Sequence, residues 1–471
     1  MPQQCGEKQM YLQGLGSRKV VASFDGGTIT SDAGGLLLRE VDLHTGILNS
    51  FSDCFIDLRE PGYAEHSVLQ LVAQRVYGLC LGYEDLNDHE QLRYDPLFAT
   101  LCGQTDVQGL TRRHEADIGK ALAGKSTLQR LESAPEASEK LGRYHRILHD
   151  PQRIEEFFVE HFLNHYNAGC QPGQIIIDLD ATDDPIHGSQ EGRFFHGYYN
   201  SYCYLPLYAF CEGYLLGAKL RSSNIDACQG ADIELERIVG QIRKKWPKTR
   251  IIVRADSGFA REWLMNWCEE NQVEYLFGLA RNTRLQRAIG DVMQQAREKS
   301  LRTGKSARVY KDLRYRTRKS WSRERRVVAK AEYTEGKENP RFMVTSLSPK
   351  RWAAKRLYEQ VYCARGEMEN RIKEQQLYLF ADRTSSATMR ANQLRLWFSS
   401  VAYVLMHELR TRALGAGELT RAQCHTIRLK LLKIGARIVV SKRRIVVHLS
   451  SGYPYQSLFR QAVRCIQPSA P

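Results

Sequence analysis

Residues 173–181 read GQIIIDLDA, a run opened by the turn Pro172–Gly173 and built on Ile175, Ile176 and Ile177. A short β-branched run after a turn is the profile of a buried strand. Side chains two apart on a strand face the same side, so Asp178 and Asp180 project together. An ionised carboxylate at the edge of a buried strand is costly unless it meets a cation or a hydrogen-bond donor. Working outward, YCYLPLYAFC (202–211) and YLLGAKLRS (214–222) form a hairpin about Glu212–Gly213. ADIELERIVGQIRKKW (231–246) is an amphipathic helix, and TRIIVRAD (249–256) is a second buried strand ending in Asp256 before Ser257–Gly258. REWLMNWCEEN (261–271) then reads as a helix and VEYLFGLA (273–280) as a third interior strand. Strand, hairpin, helix, strand, helix, strand is an α/β layer. Such sheets place their ligands at strand carboxyl ends, where Asp178, Asp180 and Asp256 sit.

The flanks speak a different grammar. Residues 1–165 read mainly as helices, with Ser31 and Asp32 as a cap for the helix that follows. Thr127–Leu128–Gln129–Arg130 would begin a DNA-reading helix or belong to an ordinary helical bundle. Between 300 and 350 three alternating runs read as an inserted β-subdomain in a basic setting. WAAKRLYEQVYCARGEMENRIKEQQ (352–376) predicts one long helix, and RIVVSKRRIVVHLS (437–450) a hairpin around Lys442, Arg443 and Arg444. On the long helix Tyr362, Arg365, Glu369, Lys373 and Gln376 form one polar stripe beside Leu357, Val361, Met368 and Ile372. A solvated face would explain a polar stripe, but a Tyr and an Arg in register with a Glu suggest more.

Composition narrows the classes. The chain has 471 residues, 42% hydrophobic and 26% charged, and no stretch nears the ~18 apolar residues that cross a bilayer. The amino terminus lacks the apolar core of a signal peptide, which predicts a cytoplasmic protein with no membrane partner. Its 12 cysteines show no CxxC pair and no zinc spacing, so reduced structural thiols are expected. The net charge of +15 is uneven: residues 301–330 hold twelve Lys or Arg against Asp312 and Glu324, and 421–471 hold ten and no acid. Clustered positive charge is the footprint of a polyanion partner. Trp321 lies in one such stretch, RTRKSWSRERR. Either it stacks on an unpaired base while Arg318 and Lys319 grip the backbone, or it packs into the insertion's core.

Carboxylates and basic surfaces suit one chemistry. A phosphodiester's pentavalent transition state concentrates negative charge, and two Mg²⁺ ions roughly 4 Å apart stabilise attacking and leaving oxygens. Mg²⁺ takes hard oxygen ligands and keeps several waters, so two Asp on neighbouring strands and one Glu on a covering helix suffice.

The chain resembles the DDE transposases of bacterial insertion sequences, in particular the IS-thirteen-eighty family within the IS-four-like superfamily. The resemblance runs over nearly the whole chain and is carried by YGLCLGYEDLNDHEQLRYDPL, DLDATDDPIHGSQEGRFFHGYY, CYLPLY, RADSGF and YCARGEMENRIKEQQ. The last is similar to the pattern YxxRxxxE followed by Lys seven positions on: Tyr362, Arg365 and Glu369 match, while Gln376 stands in the Lys position. Lys373 partly substitutes for it. The resemblance implies an RNase H-like catalytic core with a β-rich insertion, preceded by a helical amino-terminal region. It implies Asp180, Asp256 and Glu369 as catalytic metal ligands, Asp180 being preferred to Asp178 because Asp180–Ala181–Thr182 looks like Asp-x-Thr. Two Mg²⁺ ions, replaceable by Mn²⁺, double-stranded DNA as substrate and a homodimer in the synaptic complex follow from the same likeness, as does a bacterial cytoplasmic setting. DNA contacts are expected at Tyr362, Arg365, Lys373, Trp321, Arg318, Lys319, Lys442, Arg443 and Arg444.

The expected organisation is a helical DNA-binding region over 1–168, a catalytic domain over 169–412 with its insertion at 281–350, and a basic carboxyl-terminal region over 413–471. Two rivals share these features: an RNase H-like nuclease without strand transfer, and a non-cleaving DNA-binding protein derived from a transposase.

Overall fold

The computed structural model describes residues 9–139, 142, 145–166, 170–415 and 417–467. The chain divides into two compact units. One comprises the described residues of Pro135–Ser138 and His149–Ser400, the other those of Met1–Ala134, Glu139–Leu148 and Val401–Pro471.

The first unit is mixed α/β around one large mixed sheet. Its strands are β1 (Gln174–Ala181), β2 (Leu207–Cys211), β3 (Tyr214–Lys219), β4 (Arg250–Ala255), β5 (Glu274–Leu279), β6 (Ala307–Tyr315), β7 (Arg325–Thr334) and β8 (Arg341–Thr345). They lie in the order β3-β2-β1-β4-β5-β8-β7-β6, and a short strand, Lys337–Glu338, pairs with β7. β1, β4 and β5 run parallel, and the remaining neighbours are antiparallel. The β2–β3 turn is the expected one: Glu212 and Gly213 have φ of 52° and 88°, the left-handed pair that a two-residue hairpin needs. Residues read as an inserted β-subdomain extend the edge of this same sheet through β8, β7 and β6.

One sheet face is largely apolar. Ile175, Ile177 and Leu179 of β1 and Ile251, Val253 and Ala255 of β4 share a core with Tyr275 and Phe277 of β5. Helices α1 (Pro151–His165), α2 (Ala231–Lys245), α3 (Glu262–Glu270) and α4 (Gly290–Thr303) contribute to it through residues such as Phe162, Leu235, Met265 and Ala296. α1 starts where Asp150 accepts bonds from the Gln152 and Arg153 amides at 3.0 and 3.2 Å, with Pro151 in the first turn. α2 carries Asp232 and Glu234 in its first turn and Arg243, Lys244 and Lys245 in its last, matching the helix dipole at both ends.

The opposite face changes character along the strands. The register aligns Ile176 with Ile252, then Asp178 with Arg254 and Leu276. One step further along the same face lie Asp180, Asp256 and Gly278. Apolar residues thus give way to charged ones toward the strand carboxyl ends. The segment 354–378 lies over this face, with Leu357, Tyr358 and Val361 in a cluster with Ile252, Leu276, Val328 and Met343.

That covering segment is helical from end to end but not one α-helix. It passes through π-helical turns at Leu357–Tyr362 and Glu374–Tyr378 and a 3-10 turn at Cys363–Arg365, with α5 (Gly366–Lys373) between them. A π turn widens the helix by one residue, and within the first of these turns the Val361 carbonyl accepts from Arg254 Nη1.

The second unit holds the helices expected near the amino terminus. Val68–Leu81 is closed by a reciprocal capping box between Ser67 and Gln70, each bond 3.1 Å. Arg428 caps its other end, donating to the Cys80 and Leu79 carbonyls at 2.7 and 3.1 Å. Two expectations needed correction. Gln9–Leu15 and Arg18–Ser23 pair as an antiparallel hairpin within the stretch read as helical. Its side chains are largely exposed on both faces, so no burial pattern marked it. Asp32 caps no helix: it is buried, accepts from Tyr83 Oη at 2.6 Å and pairs with Lys433 at 2.6 Å. The Ala436–Val440 and Ile445–Leu449 hairpin is present, with Ile29–Thr30 added at its edge.

Candidate active site

Asp180 stands near the end of β1 and Asp256 directly after β4, so strand register alone sets them side by side. Glu369 comes from α5 above them. Arg365, one turn earlier, lies between: its guanidinium donates to Asp180 Oδ2 at 3.3 Å and Glu369 Oε1 at 2.6 Å. Asp256 is held from its own turn, Oδ1 accepting from the Gly258 amide at 2.8 Å. Burial pushes the Asp180 carboxyl up to about 7; the Asp256 and Glu369 carboxylates add to the rise, and Arg365 opposes it. Three carboxylates therefore feel one another across a single guanidinium.

Asp178, two residues earlier on the same face, has a different environment. Arg254 grips it through paired bonds of 2.5 and 2.7 Å, and Asp178 is only 7% exposed. Burial raises its carboxyl and the Arg254 bonds pull it back. Arg254 reaches the Val361 carbonyl with its third nitrogen, so one side chain ties two strands to the covering segment. Asp178 is thereby engaged in a structural pair, and Asp180 is the carboxylate left facing Arg365.

Tyr362 sits over the third strand. A Cβ at Gly278 would come within 2.5 Å of Tyr362 Oη and 2.8 Å of the Ser257 amide nitrogen. Only glycine lets the phenol approach the strand beside Asp256. Burial raises the Tyr362 hydroxyl, with Arg365 opposing and Asp256 adding. Tyr199 also faces the carboxylates: burial first, then Asp183 and Asp180, push it up to about 12. Gln376 donates to the Asp183 carbonyl at 2.8 Å, fastening the chain that follows Asp180. Lys373 is exposed.

Arg254, Gly278 and Tyr199 were not singled out in the sequence. Arg254 left a signal, a charge inside an apolar strand, and Tyr199 lies in the HGYY motif; Gly278 left none.

Among the described residues no group of three or more His, Cys, Asp or Glu is arranged closely enough to hold a metal ion. The donor set nevertheless suits a hard cation. Its ligands are carboxylate oxygens, Asp180 is raised by its acidic neighbours, and the position between Asp180 and Glu369 is already taken by a cation, Arg365.

Arg318 and Lys319 are exposed in the turn between β6 and β7. Lys442, Arg443 and Arg444 are exposed at the hairpin tip of the second unit. Trp321 is 6% exposed and belongs to the sheet core, edge-on to Tyr315 at 5.7 Å with Arg325 beside its ring. That placement favours the packing role over base stacking. No helix among the described residues is long and apolar enough to cross a membrane.

The family described as "Transposase DDE domain group 1" matches residues 12–471. Among solved structures, a chain of a piggyBac transposase synaptic complex with hairpin DNA is similar at 10% identity and a TM-score of 0.39, over 94% of this chain and 87% of that one. No curated protein matches.

Proposed function

Because the chain belongs to the transposase DDE domain group 1, we propose that it cuts DNA at the terminal inverted repeats of an insertion sequence and joins the freed 3′-hydroxyls to target DNA. The observation that carries this reading is the convergence of Asp180, Asp256 and Glu369 upon Arg365 at strand carboxyl ends. The strand order β3-β2-β1-β4-β5, antiparallel then parallel, supports an RNase H-like core. The motifs quoted above favour the IS-thirteen-eighty branch.

In this reading Asp180, Asp256 and Glu369 would hold two Mg²⁺ ions, or Mn²⁺ in their place, and the bound metal would supply Lewis-acid stabilisation to the phosphodiester. Asp180 would have to be ionised to serve as a ligand. Arg365, which donates to Asp180 and Glu369, carries paired donors that would suit a DNA phosphate. Tyr362, seated over Gly278, orients the strand end beside Asp256. Lys373, Arg318, Lys319, Lys442, Arg443 and Arg444 neutralise phosphates, each contact adding to the salt dependence of binding. A homodimer brings two ends together.

The testing experiment incubates the chain with Mg²⁺, a duplex carrying the inverted repeat that flanks its gene, and a target plasmid. Joined products are expected. Cleavage without joining would instead identify a nuclease, and binding without cleavage a non-cutting derivative.

A further inference from the structure

The second unit contains a cavity of about 600 Å³ that the proposed chemistry does not use. Among the described residues six arginines line it against three carboxylates, Glu65, Glu90 and Asp117. Those carboxylates are already engaged: Glu65 pairs with Arg112 at 2.5 Å, and Glu90 and Asp117 with Arg93 at 3.3 Å each. Arg130 and Arg146, both exposed, have no side-chain partner among the described residues. The wall thus carries unopposed positive charge.

Its interior is unusual as well. His66 is 6% exposed; its Nε2 meets Arg112 Nη2 at 3.0 Å, and its Nδ1 is buried without a hydrogen-bond partner. The Nε atoms of Arg93 and Arg112 are likewise buried and unpartnered. Burial, then Arg112, Arg59 and Arg93, push His66 down to about 4, so the ring is neutral. Gathering guanidinium groups around a buried histidine and leaving polar atoms unsatisfied weakens a fold, and such violations concentrate at functional sites.

A helix start completes the wall. Lys125–Glu132 begins after Gly124 with no acidic residue in its first turn; the Lys125 amide donates to Glu90 Oε1 at 2.8 Å, and Ser126 and Thr127 line the cavity. A helix amino terminus favours an anion; Glu90 supplies one at Lys125, so the cavity's pull on a further anion comes from Arg130, Arg146 and the buried His66, Arg93 and Arg112 atoms.

We propose that this cavity binds a phosphodiester of the DNA backbone, making it a strand-holding site separate from the carboxylates. The proposal rests on the reading that the chain works on DNA. Backbone contacts of this kind set register and affinity rather than sequence choice.

The test compares the full chain with an Arg130→Gln/Arg146→Gln double variant and with Ser126→Asp. A short random-sequence duplex is titrated in EDTA across a salt series by fluorescence anisotropy, and inorganic phosphate by calorimetry. The double variant should bind the duplex roughly tenfold more weakly, its log–log salt slope lowered by about one for each arginine. Ser126→Asp should also weaken duplex binding while melting no lower than wild type, because an acid in a first helical turn is favourable. Unchanged affinity and slope in both variants would overturn the proposal. So would loss of inorganic phosphate binding with duplex binding intact, which would make the ligand a free phosphate. A wild-type chain that bound no duplex would overturn the DNA reading itself, an outcome distinct from either.

Discussion

The carboxylate site and the arginine-lined cavity concentrate opposite charges and handle them differently. Over the sheet, Asp180 and Glu369 share one guanidinium beside Asp256, and Asp180 is driven toward its protonated form. In the cavity, guanidinium groups surround a histidine that is driven to its neutral form. Each place is short of a counter-charge: a cation in the first, an anion in the second. Asp178 and Arg254 show what a closed account looks like in the same sheet, with every charged atom paired and both residues buried. The contrast separates a closed charge pair from two clusters in which one sign of charge outnumbers the other.

The largest expected effect is chemical. Asp256→Asn and Glu369→Gln should each lower Mg²⁺-dependent cleavage roughly a thousandfold or more, the equivalent of several kcal/mol of transition-state charge stabilisation. Duplex binding in EDTA should hardly change, whereas the cavity variants should show the reverse pattern. Finding both losses in every variant would erase the distinction between the two regions.

Next is the closed pair. Arg254→Met leaves a buried carboxylate without its partner, and chemical denaturation should report a loss of about 3–5 kcal/mol. Arg130→Gln, at an exposed and unpaired arginine, should stay within about 0.5 kcal/mol of wild type. Comparable losses would mean that Arg130 is structural after all.

Gly278→Ala should cost less, about 1–3 kcal/mol from overpacking against Tyr362 and the Ser257 backbone. Its cleavage rate should fall further than its stability does, because the displaced Tyr362 lies beside Asp256. Full activity in a stably folded Gly278→Ala protein would remove Tyr362 from the site.

The smallest effect is a pair of opposed pH trends. Between 3.8 and about 7 folded Asp180 holds more proton than the unfolded chain, so its contribution to stability is gained as pH falls through that window. His66 runs the other way: between 6.5 and about 4 the unfolded chain holds more proton, and stability is lost as pH falls. Melting curves of Asp180→Asn and His66→Gln against wild type should therefore shift in opposite senses between pH 7 and pH 5. Parallel shifts would contradict the assigned environments.

How much of this was legible varies with the physics involved. Asp180 and Asp256 could be read because a carboxylate ending an apolar strand breaks a local rule, and the strand order followed from the turns around Pro172 and Gly213. Glu369 was visible only as part of a stripe. The division of labour between Asp178 and Asp180 depends on which one Arg254 reaches, a pairing across 76 residues of chain that no spacing encodes. The π turns escaped notice because one extra residue per turn barely disturbs a three-and-four pattern. Trp321 among arginines looks exposed in one dimension; in the fold Arg325 is itself buried, paired with Glu262 and Glu269, and the indole packs beside it.

The central claim, that Asp180, Asp256 and Glu369 form one cation-holding site, is tested most directly by Mn²⁺ titration followed by electron paramagnetic resonance. Wild type should bind at pH 8 and more weakly at pH 6, where Asp180 retains its proton, and Asp180→Asn should lose that binding at both. Equal Mn²⁺ binding by wild type and by the Asp180→Asn, Asp256→Asn and Glu369→Gln proteins would contradict the account.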